Sequence, residues 1–110
     1  MGVGLIARGD VWLAPLDPTV GSEIGETRPC VIVSPPEIHD GLSCVIIAPM
    51  TTRSRSAPFR ISLKFQDKQS LIVLDQIRTL DKARLIKRLG KLNDRTLSAA
   101  LSALREMFEK

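Results

Sequence analysis

Apolar residues fall in short β-branched blocks over the first two-thirds of the chain and in a helical stripe near its end. Cys30-Val31-Ile32-Val33 and Cys44-Val45-Ile46-Ile47-Ala48 are unbroken apolar runs, closed by Pro35 and Pro49. Runs this short and this continuous predict strands covered on both faces. A further strand is expected over Asp10 to Leu16. From Phe59 to Phe65 the pattern alternates, with Phe59, Ile61, Leu63 and Phe65 on one side and Arg60, Ser62 and Lys64 on the other. That period of two predicts a strand with one face in water. Leu71 to Leu74 and Ile77 to Leu80 read as one more strand or two, divided by Asp75-Gln76, and Leu85 to Leu89 adds a short edge segment.

Asn93 ahead of Asp94 is a helix start, and Leu97, Ala100, Leu101, Leu104 and Phe108 then recur at helical spacing. The helix so predicted is about 24 Å long. Strands first and a helix last indicate an α+β, mainly β arrangement or a small barrel, not an alternating α/β one. The 110 residues fall below the ~150 of an average domain, so one domain over 1–110 is expected. A 44% hydrophobic content supplies its core without disulfides or metals. No apolar run nears ~18 residues, and the Met1 to Arg8 start lacks the form of a signal peptide. A soluble, cytoplasmic protein with no membrane partner is expected.

Charge changes the picture more by its distribution than by its sum. Sixteen Lys and Arg against twelve Asp and Glu give a net charge of +4. Residues 1–50 hold two basic groups (Arg8, Arg28) and six acidic ones, a net of −4; residues 51–110 hold fourteen and six, a net of +8. Anionic partners would therefore meet the second half. With three Phe, one Trp and no Tyr, a surface built mainly from stacked bases is not expected.

The candidate chemistry is sparse. Cys30 and Cys44 lack the spacing of a zinc site or a redox pair and read as buried thiols. Single His39, beside Asp40-Gly41 in a turn, reads as solvated, and a mechanism needing two histidines is unavailable within one subunit. Neither the zinc-protease, serine-hydrolase and phosphate-loop motifs nor a metal cluster is present, so neither metal nor cofactor is expected. Two long connections remain. The first runs for thirteen residues from Asp17 to Pro29, and the second, Thr51 to Pro58, is rich in hydroxyls and carries Arg53 and Arg55. Loops of this length tend to carry function, and the second suits phosphate contacts, although its arginines equally suit a solvated surface.

Arg28 stands between the first loop and an apolar strand, where its head group needs a partner. Two readings stay open: an ion pair with Glu23 or Glu26, or a planar cationic fork offered to a phosphate. Bland roles exist for the others. Asp17 before Pro18 suits a turn, Thr51 and Thr52 suit a strand end, and Trp12 suits a core. Cleavage of RNA would need few groups, because the ribose 2′-hydroxyl is the nucleophile and the protein has only to position it and stabilise charge on phosphorus.

Six segments carry a resemblance. Gly9-Asp-Val-Trp-Leu, Leu16-Asp-Pro-Thr-Val-Gly-Ser-Glu23, Thr27-Arg-Pro-Cys-Val-Ile-Val-Ser-Pro35, Ala48-Pro-Met-Thr-Thr52, Ala57-Pro-Phe-Arg60 and Leu74-Asp-Gln-Ile-Arg-Thr-Leu80 resemble, in order, the MazF/PemK family of toxin endoribonucleases. The resemblance implies a small SH3-like barrel, a five-stranded twisted antiparallel sheet shared with CcdB, plus a C-terminal amphipathic helix. It further implies a homodimer with an RNA groove across the subunit interface. Such toxins cut single-stranded mRNA at short sequences without metal, leaving a 2′,3′-cyclic phosphate and a 5′-hydroxyl. A MazE-like antitoxin with an acidic C-terminal tail blocks the groove.

Carried over by position, the family arginine falls on Arg28, to stabilise phosphoryl charge, and the hydroxyl on Thr51, to hold the phosphate or orient the 2′-oxygen. Glu23 falls on the family glutamate as base or loop anchor. Asp75 and Gln76 occupy the Asp-Gln step used around the site in some members, and Asp17, Ser22, Thr52, Arg53 and Arg55 complete the substrate-binding set. This chain departs from the Kid/PemK branch, having Ser22 in place of a histidine and Val73 in place of an arginine. The general base is thereby left unassigned. Two rivals stand beside this reading: a CcdB-type gyrase poison, which depends on a Trp-Gly-Ile end where this chain has Met107-Phe108-Glu109-Lys110, and a catalytically inactive RNA-binding relative.

Overall fold

In a computed structural model, residues 5–53 and 55–110 are described. The first four residues of the leader reading and Ser54 of the second loop lie outside them. The strands are β1 (Asp10–Pro15), β2 (Thr27–Ile32), β3 (Cys44–Thr51), β4 (Arg60–Phe65), β5 (Lys68–Val73), β6 (Arg78–Asp81) and β7 (Lys87–Lys91). The helices are α1 (Pro36–His39) and α2 (Asp94–Met107), with single 3-10 turns at Leu74–Gln76 and Lys82–Arg84.

All the pairings are antiparallel, and β3 organises them. One edge of β3 pairs with β2, which continues through β1 to β7. Its other edge pairs with β6 over Cys44–Ile47 and then with β5 at Met50 and Thr51. The order β7-β1-β2-β3-β6 is the five-stranded twisted sheet expected of the barrel, and the β4–β5 hairpin extends it from the far end of β3. Opposite ends of the curl approach each other: a Cβ built on Gly90 of β7 would lie 3.5 Å from the Phe65 ring of β4.

Period-two alternation sorts the central strands onto two cores. Trp12, Cys30, Ile32, Val45 and Ile47 point to one, closed by Ile6, Leu80 and Leu85. Val11, Val31, Ala48 and Met50 point to the other, under Ile72, Leu74, Leu92 and Ala100. Both faces of β2 and β3 are thus covered, as their unbroken apolar runs require. Truncating Ile32 or Ile47, each fully buried, to alanine would cost about 2–5 kcal/mol.

Helix α2 begins as the sequence indicates. Asn93 Oδ1 accepts a hydrogen bond from Thr96 N at 2.8 Å, and Leu97, Leu104 and Met107 pack on the second core. Leu97 presses on Gly9, where φ is 93° and a Cβ would meet its side chain at 3.0 Å, so glycine is required there. Phe108 departs from the expected stripe because it follows the last helical turn and is exposed.

Other boundaries differ for local reasons. β2 starts at Thr27, three residues ahead of its apolar run, because Pro15 and Thr27 pair across β1 and β2. β5 starts at Lys68 because Gln66 and Asp67, with φ of 51° and 64°, form a two-residue hairpin turn between the paired residues Phe65 and Lys68. Leu85 lies in the core ahead of β7 instead of beginning it. His39 corrects the solvated-turn reading. It closes the short α1 and is fully buried, its Nδ1 3.2 Å from Ser34 Oγ, which itself accepts from Ile46 N. Pro35-Pro36 turns the chain so that this ring faces inward.

Candidate anion-binding cleft

The site arises where the β2–β3 ladder stops. The last paired residues are Cys30 and Pro49, and neither Pro29 nor Pro49 has an amide hydrogen to extend it. Continuing the register sets Arg28 opposite Thr51, but there β3 has turned to pair with β5 through Thr51 and Leu71. Alternation keeps Arg28 and Thr51 on one face. Between the parted strands lies a cleft of ≈ 260 Å³ lined by Arg28, Pro29, Thr51 and Thr52, and walled by Phe65, Gln66, Lys68 and Ser70 of the hairpin.

Arg28 is held but not exhausted. Its Nε donates to Gly25 O at 2.6 Å and its Nη2 to Glu26 Oε1 at 3.2 Å, leaving the other N–H groups of the fork for a ligand. The acidic partner is Glu26, not Glu23. Glu26 sits at φ 67°, in the left-handed region, and its side chain is largely exposed. Thr51, 7% exposed, accepts from Arg53 N at 3.1 Å, which fixes the oxygen and leaves the hydroxyl proton to donate. Below them, burial pushes the Cys30 thiol up to about 12, against the opposing pull of Arg78 and Arg28. Cys30 is therefore an inert thiol, as expected.

The remaining candidates gather elsewhere. Ser22, Glu23, Asp75, Gln76, Ile77 and Arg78 line a second, more open cleft of ≈ 480 Å³. Glu23 Oε1 accepts from Val20 N at 2.7 Å, closing a turn of the first loop. Gln76 receives Ile24 N on Oε1 at 2.7 Å and donates from Nε2 to Ser22 O at 3.1 Å. Both oxygens of Asp75 accept from Arg60, at 3.0 Å each. Asp17 lines neither cleft; its carboxylate meets Thr19 Oγ1 and its carbonyl accepts from Arg84 Nη2. Arg53 and Arg55 follow Thr52 in the second loop, and Arg55 O accepts from Arg60 Nη1 at 3.3 Å.

Reading the sequence missed the hairpin wall, Lys68 above all, and the loop-holding roles of Arg60, Arg78 and Arg84. Its one available signal was the alternation of β4, which places Phe65 at the strand end. Among the described residues, no group of three or more His, Cys, Asp or Glu is placed to hold a metal. No helix among them is long and apolar enough to cross a membrane.

A curled antiparallel half-barrel closed by one helix, with an arginine and a hydroxyl facing across a strand break, defines a small barrel protein with an anion-sized cleft. Residues 7–108 match the PemK-like, MazF-like toxins of type II toxin–antitoxin systems, and the chain belongs to that family. It is 38% identical over 106 residues to the endoribonuclease MazF of Staphylococcus saprophyticus, covering 91% of this chain and 88% of that protein. MazF from Deinococcus radiodurans shares the fold, with a TM-score of 0.79 at 24% identity over 94% of this chain and 96% of that one. A mycobacterial endoribonuclease solved with its cognate antitoxin superposes with a TM-score of 0.76 at 25% identity, over 93% of each chain.

Proposed function

We propose that this toxin is a metal-independent, sequence-selective endoribonuclease of single-stranded mRNA, and that residues 1–110 form its one MazF/PemK-like domain. The observation that carries the reading is the convergence of Arg28 and Thr51 on one cleft. The likeness to an endoribonuclease over nine-tenths of the chain supports it. In the proposed reaction the ribose 2′-oxygen bonds to phosphorus as the bond to O5′ breaks, leaving a 2′,3′-cyclic phosphate and a 5′-hydroxyl. The 2′-hydroxyl proton leaves to water, and water protonates O5′. Thr51 donates to a phosphate oxygen in the ground state, and the free N–H groups of Arg28 meet the charge that grows on the five-coordinate phosphorus. Lys68 adds a second cation to the same cleft. Glu23, engaged by Val20 N, anchors the loop.

The working unit is proposed to be a homodimer. Leu101, Leu104 and Phe108 line a groove with Val33, flanked by Arg8 and Arg105, and Phe108 is 71% exposed. A MazE-like antitoxin with an acidic tail would lie along the same basic surface as RNA. Incubation of the purified protein with a long single-stranded RNA in excess EDTA tests the activity. Cleavage is expected from the native chain and a loss of about 10²–10³ from Arg28→Ala and from Thr51→Ala. Intact RNA, with growth arrest unrelieved by either substitution, would favour a toxin that acts by binding alone.

A further inference from the structure

Asp75 and Gln76 are expected on the RNA, yet their polar atoms are engaged by protein: Gln76 bonds the first loop directly, and Asp75 reaches the second through Arg60 of β4. Gln76 reads the first loop as a neighbouring strand would, accepting from Ile24 N and donating to Ser22 O. Arg78 Nη2 adds a bond to Ile24 O at 3.1 Å. That loop ends in Gly25 and Glu26, which hold the Arg28 fork. On the other side, Arg60 opposes Val73 in the β4–β5 ladder, so its side chain reaches past the end of β5 to Asp75. Arg60 Nη1 then holds Arg55 O in the loop that begins at Thr51.

We propose that the Leu74–Gln76 turn is a common post for both loops, with Arg60, Asp75 and Gln76 as positioning residues that set the Arg28-to-Thr51 separation. This rests on the proposed ribonuclease reading only for its kinetic consequence. The bidentate pair opposes proton uptake by Asp75, since a proton on either oxygen would weaken a charge-assisted bond to Arg60. Hydrogen bonding to Arg60 also holds its carboxyl below the ordinary range, which makes it a weak base. Small displacements matter, because an ångström of misplacement can cost about a hundredfold in rate.

Hydrogen exchange on the free protein, read beside kinetics, tests the post. Gln76→Ala is expected to speed exchange about tenfold or more at residues 22–26, and Asp75→Asn to do so at 55–60, with the cores unchanged. Each substitution should lower kcat/KM about tenfold without altering the shape of the pH–rate profile. Unchanged exchange in both loops would overturn the proposal even where RNA is cleaved. A flattened limb of the pH profile in Asp75→Asn would make Asp75 a base and overturn it too. Altered exchange in a protein that cleaves no RNA would uphold the post while the ribonuclease reading fails.

Discussion

Arg28 illustrates how one residue can be both tethered and available. The loop carbonyl and Glu26 fix one side of the guanidinium, so a ligand meets a fork already oriented. Lysine at this position keeps the charge and loses the planar two-point contact, so Arg28→Lys is expected to lose about a hundredfold in kcat. Thr51→Ser retains the hydroxyl and is expected to keep activity within about tenfold. Cys30 makes a separate claim about pH. Burial pushes its thiol from an ordinary 9.0 up to about 12, so the folded state keeps a proton that the unfolded chain releases. Its contribution to stability is complete below pH 9 and falls as pH rises from 9 towards 12. Denaturant titrations across that range should show a shallower fall in Cys30→Ala than in the native chain. Arg28 stands out in the sequence as a charged residue at the mouth of an apolar strand, whereas Thr51 is singled out by the family resemblance, its local pattern suiting a plain strand end. Lys68 and Arg60 carry no such anomaly; only the pairing of β4 with β5 gives them their neighbours.

At the scale of elements, unbroken apolar runs marked β2 and β3, strict alternation marked β4, and the Asn93 cap marked α2. Elements that rest on unusual backbone were not legible. The β4–β5 turn uses Gln66 and Asp67 at positive φ without glycine, so nothing in the composition separates it from the strands. Replacing the pair by Asn-Gly, which suits both conformations, is expected to stabilise the protein by about 1 kcal/mol, measurable as a rise in Tm. Asn93→Ala removes the bond to Thr96 N and should cost about 1 kcal/mol in a denaturant titration. The helical turn at Pro36–His39 escaped notice for another reason: four residues give no period to read, and the burial of His39 depends on Ser34 and β3.

Across the whole molecule, part of the charge asymmetry is internal fastening. Arg78 and Arg84 of the basic half donate to the carbonyls of Leu16, Asp17 and Ile24 in the acidic half, and Arg88 pairs with the buried Asp10. The cations left for an anionic ligand are fewer than the total suggests, and they include Lys68 at the cleft. Lys68→Gln is expected to reduce the slope of log K for RNA against log salt by about 0.7, the value for one phosphate contact on a single strand. The measurement that bears most directly on the proposed Arg28–Thr51 chemistry replaces one ribose. A short RNA that the protein cleaves is compared with the same strand carrying a 2′-deoxy sugar immediately 5′ of the scissile phosphate, with product ends identified by mass. The expected result is a 2′,3′-cyclic phosphate and a 5′-hydroxyl from the first strand and no cut at that site in the second. Cleavage of the deoxy strand at the same bond, or products ending in a 3′-hydroxyl and a 5′-phosphate, would contradict attack by the ribose.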